Sequence, residues 1–390
     1  MRSRLPWLLV PGVLAVVSLV ALAVLVLPRD DEAPDAVVES PRMPPVVPGY
    51  GERPVPRIAL VPTPVLSTWP PTRRDPFLWP FSTRSPWNHP IGSDAEYGSP
   101  DDPVTEGLRA DHEGVVFNVQ SWTIAVYRAE GPERGIYVRD EGERVASVSV
   151  PDGAIPAPPL LPGDCMAEQE GHLTDRFADA HLNLVTDYGT VVELYAALRR
   201  CDGNLEVRYE PWQHDLRGSG IGERAGMHAG SRAYGGSSFG GLVRKWELEA
   251  GRIRHALAAA LPAAQFRSGY VWPATSQDGP HEEAYHGNVP MGTLAALPPD
   301  FDLDSIDYSS PYGRVFAEAL RDYGVYLVDS AGSGGMTFYG EPEIEELPGW
   351  DEISHDLREL VLHLVPILNN GPDHIGGGGR PLAPIAPPLR

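Results

Sequence analysis

The chain has 390 residues, and its 31 basic against 53 acidic side chains give a net charge of -22 at pH 7. Such a charge repels phosphate backbones and anionic lipid surfaces, so the sequence does not read as a nucleic-acid-binding protein. Lys245 is the only lysine. Cationic recognition therefore falls to arginine, which suits planar carboxylates and phosphates and cannot form a Schiff base.

The N-terminus carries the clearest signal. Leu5 to Leu27 holds no charged residue and, at about 1.5 Å per residue, is long enough to cross roughly 30 Å of hydrocarbon. Arg2 and Arg4 precede it and Asp30, Asp31 and Glu32 follow, so the positive-inside rule predicts a single-pass signal-anchor at 1–27, with everything after Leu27 outside the cytoplasm. Ala21-Leu22-Ala23 offers a cleavage site for a signal peptide instead, but the apolar run continues past it. Residues 28–79 are dense in proline and lack any period, which predicts an extended stalk. The Gly/Pro-rich run 366–390 predicts a flexible tail. Cys165 and Cys201, the only cysteines, suit an oxidising compartment and are expected to form one disulfide.

Between the ends, residues 80–365 read as one β-rich domain. Strand patterns cover Val115–Val126, Gly135–Arg139 and Arg144–Val150. His181–Thr186, Thr190–Leu198 and Leu205–Tyr209, separated by turns at Tyr188-Gly189 and Asp202-Gly203, predict a three-stranded meander. The glycine-rich stretch 214–241 predicts a long surface loop of the kind that carries function. A helical turn at Lys245–Ala250 should stop at Gly251, and Ile253–Leu261 alternates like a half-buried strand that places His255 on its apolar face. An extended piece at Tyr270–Pro273 leads to Thr275, Ser276, Gln277 and Asp278. Tyr312–Tyr323 and Asp351–Leu362 predict helices, and Val325–Asp329 with Met336–Tyr339 a hairpin. The whole predicts a mainly β chain, a jelly-roll-like β-sandwich with a few short helices.

Matches to familiar catalytic motifs are poor. Gly236-Ser237-Ser238-Phe239-Gly240 fits G-x-S-x-G but lacks the strand that should precede it, so it reads as a glycine-rich loop. His281 and His286 stand five apart, whereas a zinc-binding H-E-x-x-H helix needs a spacing of four. Gly218, Gly220 and Gly222 lack the lysine of a phosphate loop. No metal and no cofactor are expected.

The remaining candidates are polar residues on strands. His181 and Asn183 share one face of their strand, Glu193 and Tyr195 share a face of the next, and the two faces are expected to adjoin. With His255 and Asp278 they offer bases, an acid and a carboxylate, and Arg224, Arg252, Trp272 and Thr275 are the companion binding residues. The plainer reading makes the histidines structural and Tyr195 a packing residue.

The passages DAHLNLVTDYGTVVELYAALR (Asp179–Arg199), GGLVRKWELEAGRIRHAL (Gly240–Leu257), YVWPATSQDG (Tyr270–Gly279) and VFAEALRDYGVYLVDSAG (Val315–Gly332) resemble a group of secreted, often actinobacterial, β-sandwich proteins of uncertain function. In that group D-G-H, G-R-I-x-H-A-L and Y-x-A-T-like strands recur in this order. His181, His255 and the Trp272–Asp278 turn fall on the recurring positions, while Ala180 replaces the glycine. The resemblance implies an extracytoplasmic sandwich with a likeness to carbohydrate-active proteins. The expected function is a polysaccharide lyase or glycoside hydrolase acting on a cell-envelope or environmental glycan. A lyase would use His181 or His255 as base, Tyr195 as acid and Arg252 or Arg224 on the substrate carboxylate, and a hydrolase would use Glu193 and Asp278. The alternative is a non-catalytic cell-wall or carbohydrate-binding module in which Trp272, Trp212 and Tyr234 stack on sugars. The expected partners are a glycan and, through the N-terminal helix, the membrane.

Overall fold

The computed structural model describes residues 72–390 apart from 121–122, 139–141, 143, 155, 157–179, 279–283 and 332–333. All of them belong to one compact unit, Pro56–Arg390. The expected anchor, nearly all of the stalk, Cys165 and His281 lie outside the described residues. Among the described residues no helix is long and apolar enough to cross a membrane.

The chain is mainly β, built on a six-stranded mixed sheet. Its central strand, β10 (Leu257–Pro262), runs parallel to β14 (Val325–Ala331) and antiparallel to β15 (Thr337–Tyr339). β1 (Val116–Asn118) extends the sheet beside β15, and β13 (Leu294–Ala296) with β16 (Val365–Pro366) extends it beyond β14. Every residue of β10 is buried, as expected of a nearly continuous Ala/Leu run in a strand covered on both faces. This corrects two sequence readings. The strand is not half-buried, and it begins at Leu257, so His255 precedes it. The expected hairpin between 325–329 and 336–339 also fails to form, because β10 inserts between β14 and β15.

Helices complete this core. α3 (Gly313–Asp322) and α4 (Ile353–Val361) pack on each other and reach β13 and β1, while α1 (Pro103–Arg109) reaches β16. α3 buries Val315, Phe316, Ala319 and Leu320, the spacing of one helical face. Phe316 meets Phe117 edge-on at 5.0 Å, and burying a ring of this size stabilises the fold by about 1.5–3 kcal/mol. Asp356 on α4 is fully buried and accepts from the backbone N–H groups of Ser309 and Ser310 at 2.7 and 2.9 Å, which fixes the approach to α3.

The strands described between Ile124 and Asp215 form two four-stranded sheets. One holds β2 (Ile124–Arg128), β5 (His181–Val185), β6 (Thr190–Tyr195) and β9 (Trp212–Asp215). The other holds β4 (Arg144–Ser149), β3 (Glu133–Val138), β8 (Leu205–Val207) and β7 (Leu198–Arg199). Ala125, Leu182, Leu184 and Leu194 from the first and Ile136, Leu205 and Val207 from the second share one apolar cluster, so the sandwich expected for 80–365 is confined to this segment. The alternate residues of the first sheet, Ile124, Val126, Val185 and Val191, belong to the larger core. Period-two alternation thus serves two cores at once. The predicted meander is broken at Ala196, whose φ of 49° turns the chain out of β6 and toward the opposite sheet, and β9 takes the place beside β6.

Three segments complete the frame. α2 (Lys245–Glu249) ends with Gly251 at φ 66°, as its sequence predicts. β11 (Phe266–Tyr270) pairs with β12 (Val289–Met291) and precedes a cis Trp272–Pro273 bond. The C-terminal run, expected as a flexible tail, packs instead. The Arg74 N–H donates to the Pro388 carbonyl and the Arg390 N–H to the Arg74 carbonyl, a parallel bridge of Arg74 with Leu389, Gly92 pairs with Pro381, and Ala386 packs with Trp79 and Trp246. A segment too poor in apolar residues for its own core is held here by pairing its backbone with residues 74–94.

Candidate functional site

The expected adjacency of the two strand faces is present. His181 lies opposite Tyr195 and Asn183 opposite Glu193 in the β5–β6 register. The roles differ from those expected. Glu193 is fully buried, and its Oε2 accepts from Ser231 N (3.1 Å), Ser231 Oγ (2.9 Å) and Ser238 N (3.1 Å), while Oε1 accepts from Ser237 Oγ. Asn183 and Ser238 exchange side-chain bonds at 3.1 and 3.2 Å. The carboxylate therefore holds the glycine-rich loop on the sheet and has no exposed face for a substrate. The same contacts leave Ser238 buried and committed, not poised as a nucleophile. They also correct the loop itself, since residues 230–241 are buried although they lack regular structure. Trp87 explains part of this burial. It meets Tyr234 and Tyr326 edge-on at 5.9 and 5.4 Å, and any Cβ on Gly240 would run into its ring.

His255 is buried, and its partner is Glu247 on α2. Its Nε2 lies 3.1 Å from Glu247 Oε2 and its Nδ1 2.9 Å from the Ala256 carbonyl. Burial alone would lower its pKa, but the charge and hydrogen bond of Glu247 outweigh burial and hold it raised. With Trp79, Trp87, Phe239 and Arg244 it lines a small cavity. Arg252 is half-buried at the end of α2, its N–H bonded to the Glu247 carbonyl. Both residues thus belong to the packing of α2, not to a shared site with His181.

What does gather beside β6 is a row of rings. His181 packs edge-on against Tyr195 (5.1 Å), Tyr195 stacks on Tyr209 (5.8 Å, 7° between planes), Tyr209 meets Trp212 (6.1 Å) and Trp212 meets His228 (5.8 Å). Exposure is uneven along it: Tyr209 and His228 are exposed and Trp212 between them is less so. His181 is buried, Tyr195 and Trp212 are half-buried, and Tyr209 is 50% exposed. β6, β9 and the glycine-rich loop each supply rings, so the row exists only once the sheet and the loop have docked.

The outer end of the row adjoins polar groups at the C-terminal end of β14. His228 Nδ1 lies 3.1 Å from Ser276 Oγ, and Thr275 bonds the Met227 carbonyl at 2.6 Å, so the turn after Pro273 is tied to the loop. Asp278 accepts from Ser330 Oγ at 2.9 Å. Arg232 pairs with Asp329 at 3.0 Å and lies 3.9 Å over the Tyr339 ring. Burial lowers the His228 pKa, and the charge of Asp278 offsets this only in part. Burial raises the Tyr285 phenol to about 12, with Asp278 and Asp329 adding to the shift. At neutral pH the imidazole is thus neutral and the phenol protonated. Among the described residues no group of three or more His, Cys, Asp and Glu could hold a metal ion.

Of the expected site residues, then, His181 and Tyr195 share the row, and Thr275 and Asp278 lie at its outer end. Glu193, His255 and Arg252 serve packing. Arg224 is exposed in the loop, and Trp272 is half-buried at the cis bond. Tyr234, an expected stacking ring, is fully buried. Tyr209, His228 and Tyr285 escaped the sequence reading. The run Tyr209-Glu210-Pro211-Trp212, two aromatic residues around a proline after a strand, was the signal available for the first.

The chain matches no family model, and no curated protein or solved structure matches it.

Proposed function

We propose that the chain is an extracytoplasmic, membrane-anchored carbohydrate-binding protein that holds a glycan on the row Tyr195–Tyr209–Trp212–His228. The observation that carries this reading is the row itself: contiguous rings that end exposed beside hydrogen-bonding groups, the combination with which proteins stack on and orient sugars. The charged N-terminus, the apolar 5–27 segment and the two cysteines support placement outside the cytoplasm. A single Cys165–Cys201 disulfide belongs to this proposal. Titration of the full chain with a glycan panel tests it. Saturable binding that Tyr209→Ala and Trp212→Ala each weaken at least tenfold supports it, and the absence of binding to every glycan refutes it.

Catalysis on the same glycan, as a lyase or hydrolase, is a second reading carried by Asp278, Tyr285 and His228 at the end of the row. Glu193 is no part of it. Incubation of the full chain with the bound glycan, followed for unsaturated products or new reducing ends, decides between binding alone and cleavage.

A further inference from the structure

Which sugar the row accepts is written in the tautomer of His228, an inference that rests on the row being a glycan platform. Ser276 Oγ lies 2.6 Å from the Ala233 carbonyl and donates its only proton there. Toward His228 Nδ1, 3.1 Å away, it can then only accept. Nδ1 therefore carries the imidazole proton, and in the neutral ring Nε2 is left as an acceptor. No described residue bonds Nε2. The ring stands at the outer end of the row, 5.8 Å from the Trp212 ring and tilted by 49° against it, close enough for the hydroxyls of a sugar stacked on that tryptophan to reach it.

We propose that His228 Nε2 accepts a hydroxyl proton from the stacked sugar and that the ligand is a neutral glycan. Protonated imidazole offers only donors, so a sugar hydroxyl that donates to Nε2 at neutral pH loses its acceptor in acid. The group facing His228 from the turn after Pro273 is the carboxylate of Asp278, and Trp212 faces it from β9 without charge. Neither supplies a cation at His228; the Arg208 guanidinium lies 5.7 Å from the Tyr209 ring, two rings away along the row, and Arg232 is paired with Asp329. The chain's net charge of -22 adds a long-range repulsion of polyuronates. Burial holds the histidine below its ordinary value of 6.5, so binding persists through neutral pH and falls only as the pH drops below that value.

The test is calorimetric titration of the full chain in detergent with soluble β-glucan, galactomannan and, as the anionic control, polygalacturonate, at pH about 7.5 and about 4.5. The expected result is preferential binding of a neutral polysaccharide, weakened about three- to tenfold in acid, the equivalent of one hydrogen bond. His228→Ala should show that loss already at the higher pH and no further loss in acid. His228→Gln, whose amide oxygen still accepts, should keep the affinity and lose the pH dependence. Polygalacturonate as the preferred ligand overturns the proposal, as does His228→Ala binding like the parent at both pH values. Binding that Tyr209→Ala abolishes but His228→Ala leaves unchanged removes the role of His228 alone, whereas absence of all glycan binding removes the platform with it.

Discussion

Glu193→Gln probes how the site is assembled. The substitution keeps the volume of a side chain that is fully buried and removes only its charge and one acceptor. Oε2 serves three donors, Ser231 N, Ser231 Oγ and Ser238 N, and Oε1 serves Ser237 Oγ. The best orientation of the amide keeps its oxygen on the three donors and turns its NH2 toward Ser237, whose hydroxyl can rotate to accept. Three charge-assisted bonds then become neutral ones. Each loses about 1 kcal/mol, which gives about 3 kcal/mol and, at about 2 °C per kcal/mol for a domain of this size, a fall in Tm of about 6 °C. Glu193→Ala leaves all four donors without their acceptor and should cost more, with the loop from Ala229 to Gly241 losing protection from hydrogen exchange before the rest of the fold. Near-UV circular dichroism during heating measures the first effect. A Glu193→Gln variant that melts within about 1 °C of the parent refutes the view that this carboxylate clamps the loop.

Breaking the buried His255–Glu247 pair by His255→Ala should cost about 3–5 kcal/mol because the buried carboxylate loses its ionic partner and keeps the Arg244 N–H. The folded histidine is held above its ordinary 6.5, so the pair stabilises fully below that value and less as pH rises through the folded value. The gap between parent and variant should therefore narrow from about pH 6 to pH 9 in denaturant titrations, and a widening gap contradicts the assignment. Gly240→Ala, which drives a methyl group into the buried Trp87 ring, should destabilise the chain by about 1–3 kcal/mol, a loss that Trp87→Phe in the same chain should partly relieve. Denatured, unreduced protein should show no thiol to a colorimetric reagent, as expected of paired Cys165 and Cys201.

Local structure was largely legible in the sequence. β5, β4, α3 and α4 lie within a few residues of their predicted ranges because each has a clean period and a Gly or polar boundary. Partnerships were not legible. The Ala/Leu run of β10 fits a half-buried or a fully buried strand equally, and nothing local announces that it separates β14 from β15. The adjacency of His181 and Tyr195 followed from a tight turn, whereas the long-range contacts of Glu193, His228 and His255 depend on where irregular segments dock. Glu193 read as catalytic because it is a carboxylate on the strand face beside that of His181, where burying it is costly. Here the serines and backbone of a distant loop compensate that cost, and spacing along the chain carries no trace of it.

The claim that the rings beside β6 form a glycan platform is tested most directly by quantifying ligand binding to the full chain and to the Tyr209→Ala/Trp212→Ala double variant, with thermal melts to confirm that both are folded. Removing two stacking rings at about 1–2 kcal/mol each predicts a loss of about 30- to 1,000-fold in affinity for the preferred glycan, with Tm nearly unchanged. Equal affinity in the folded double variant contradicts it.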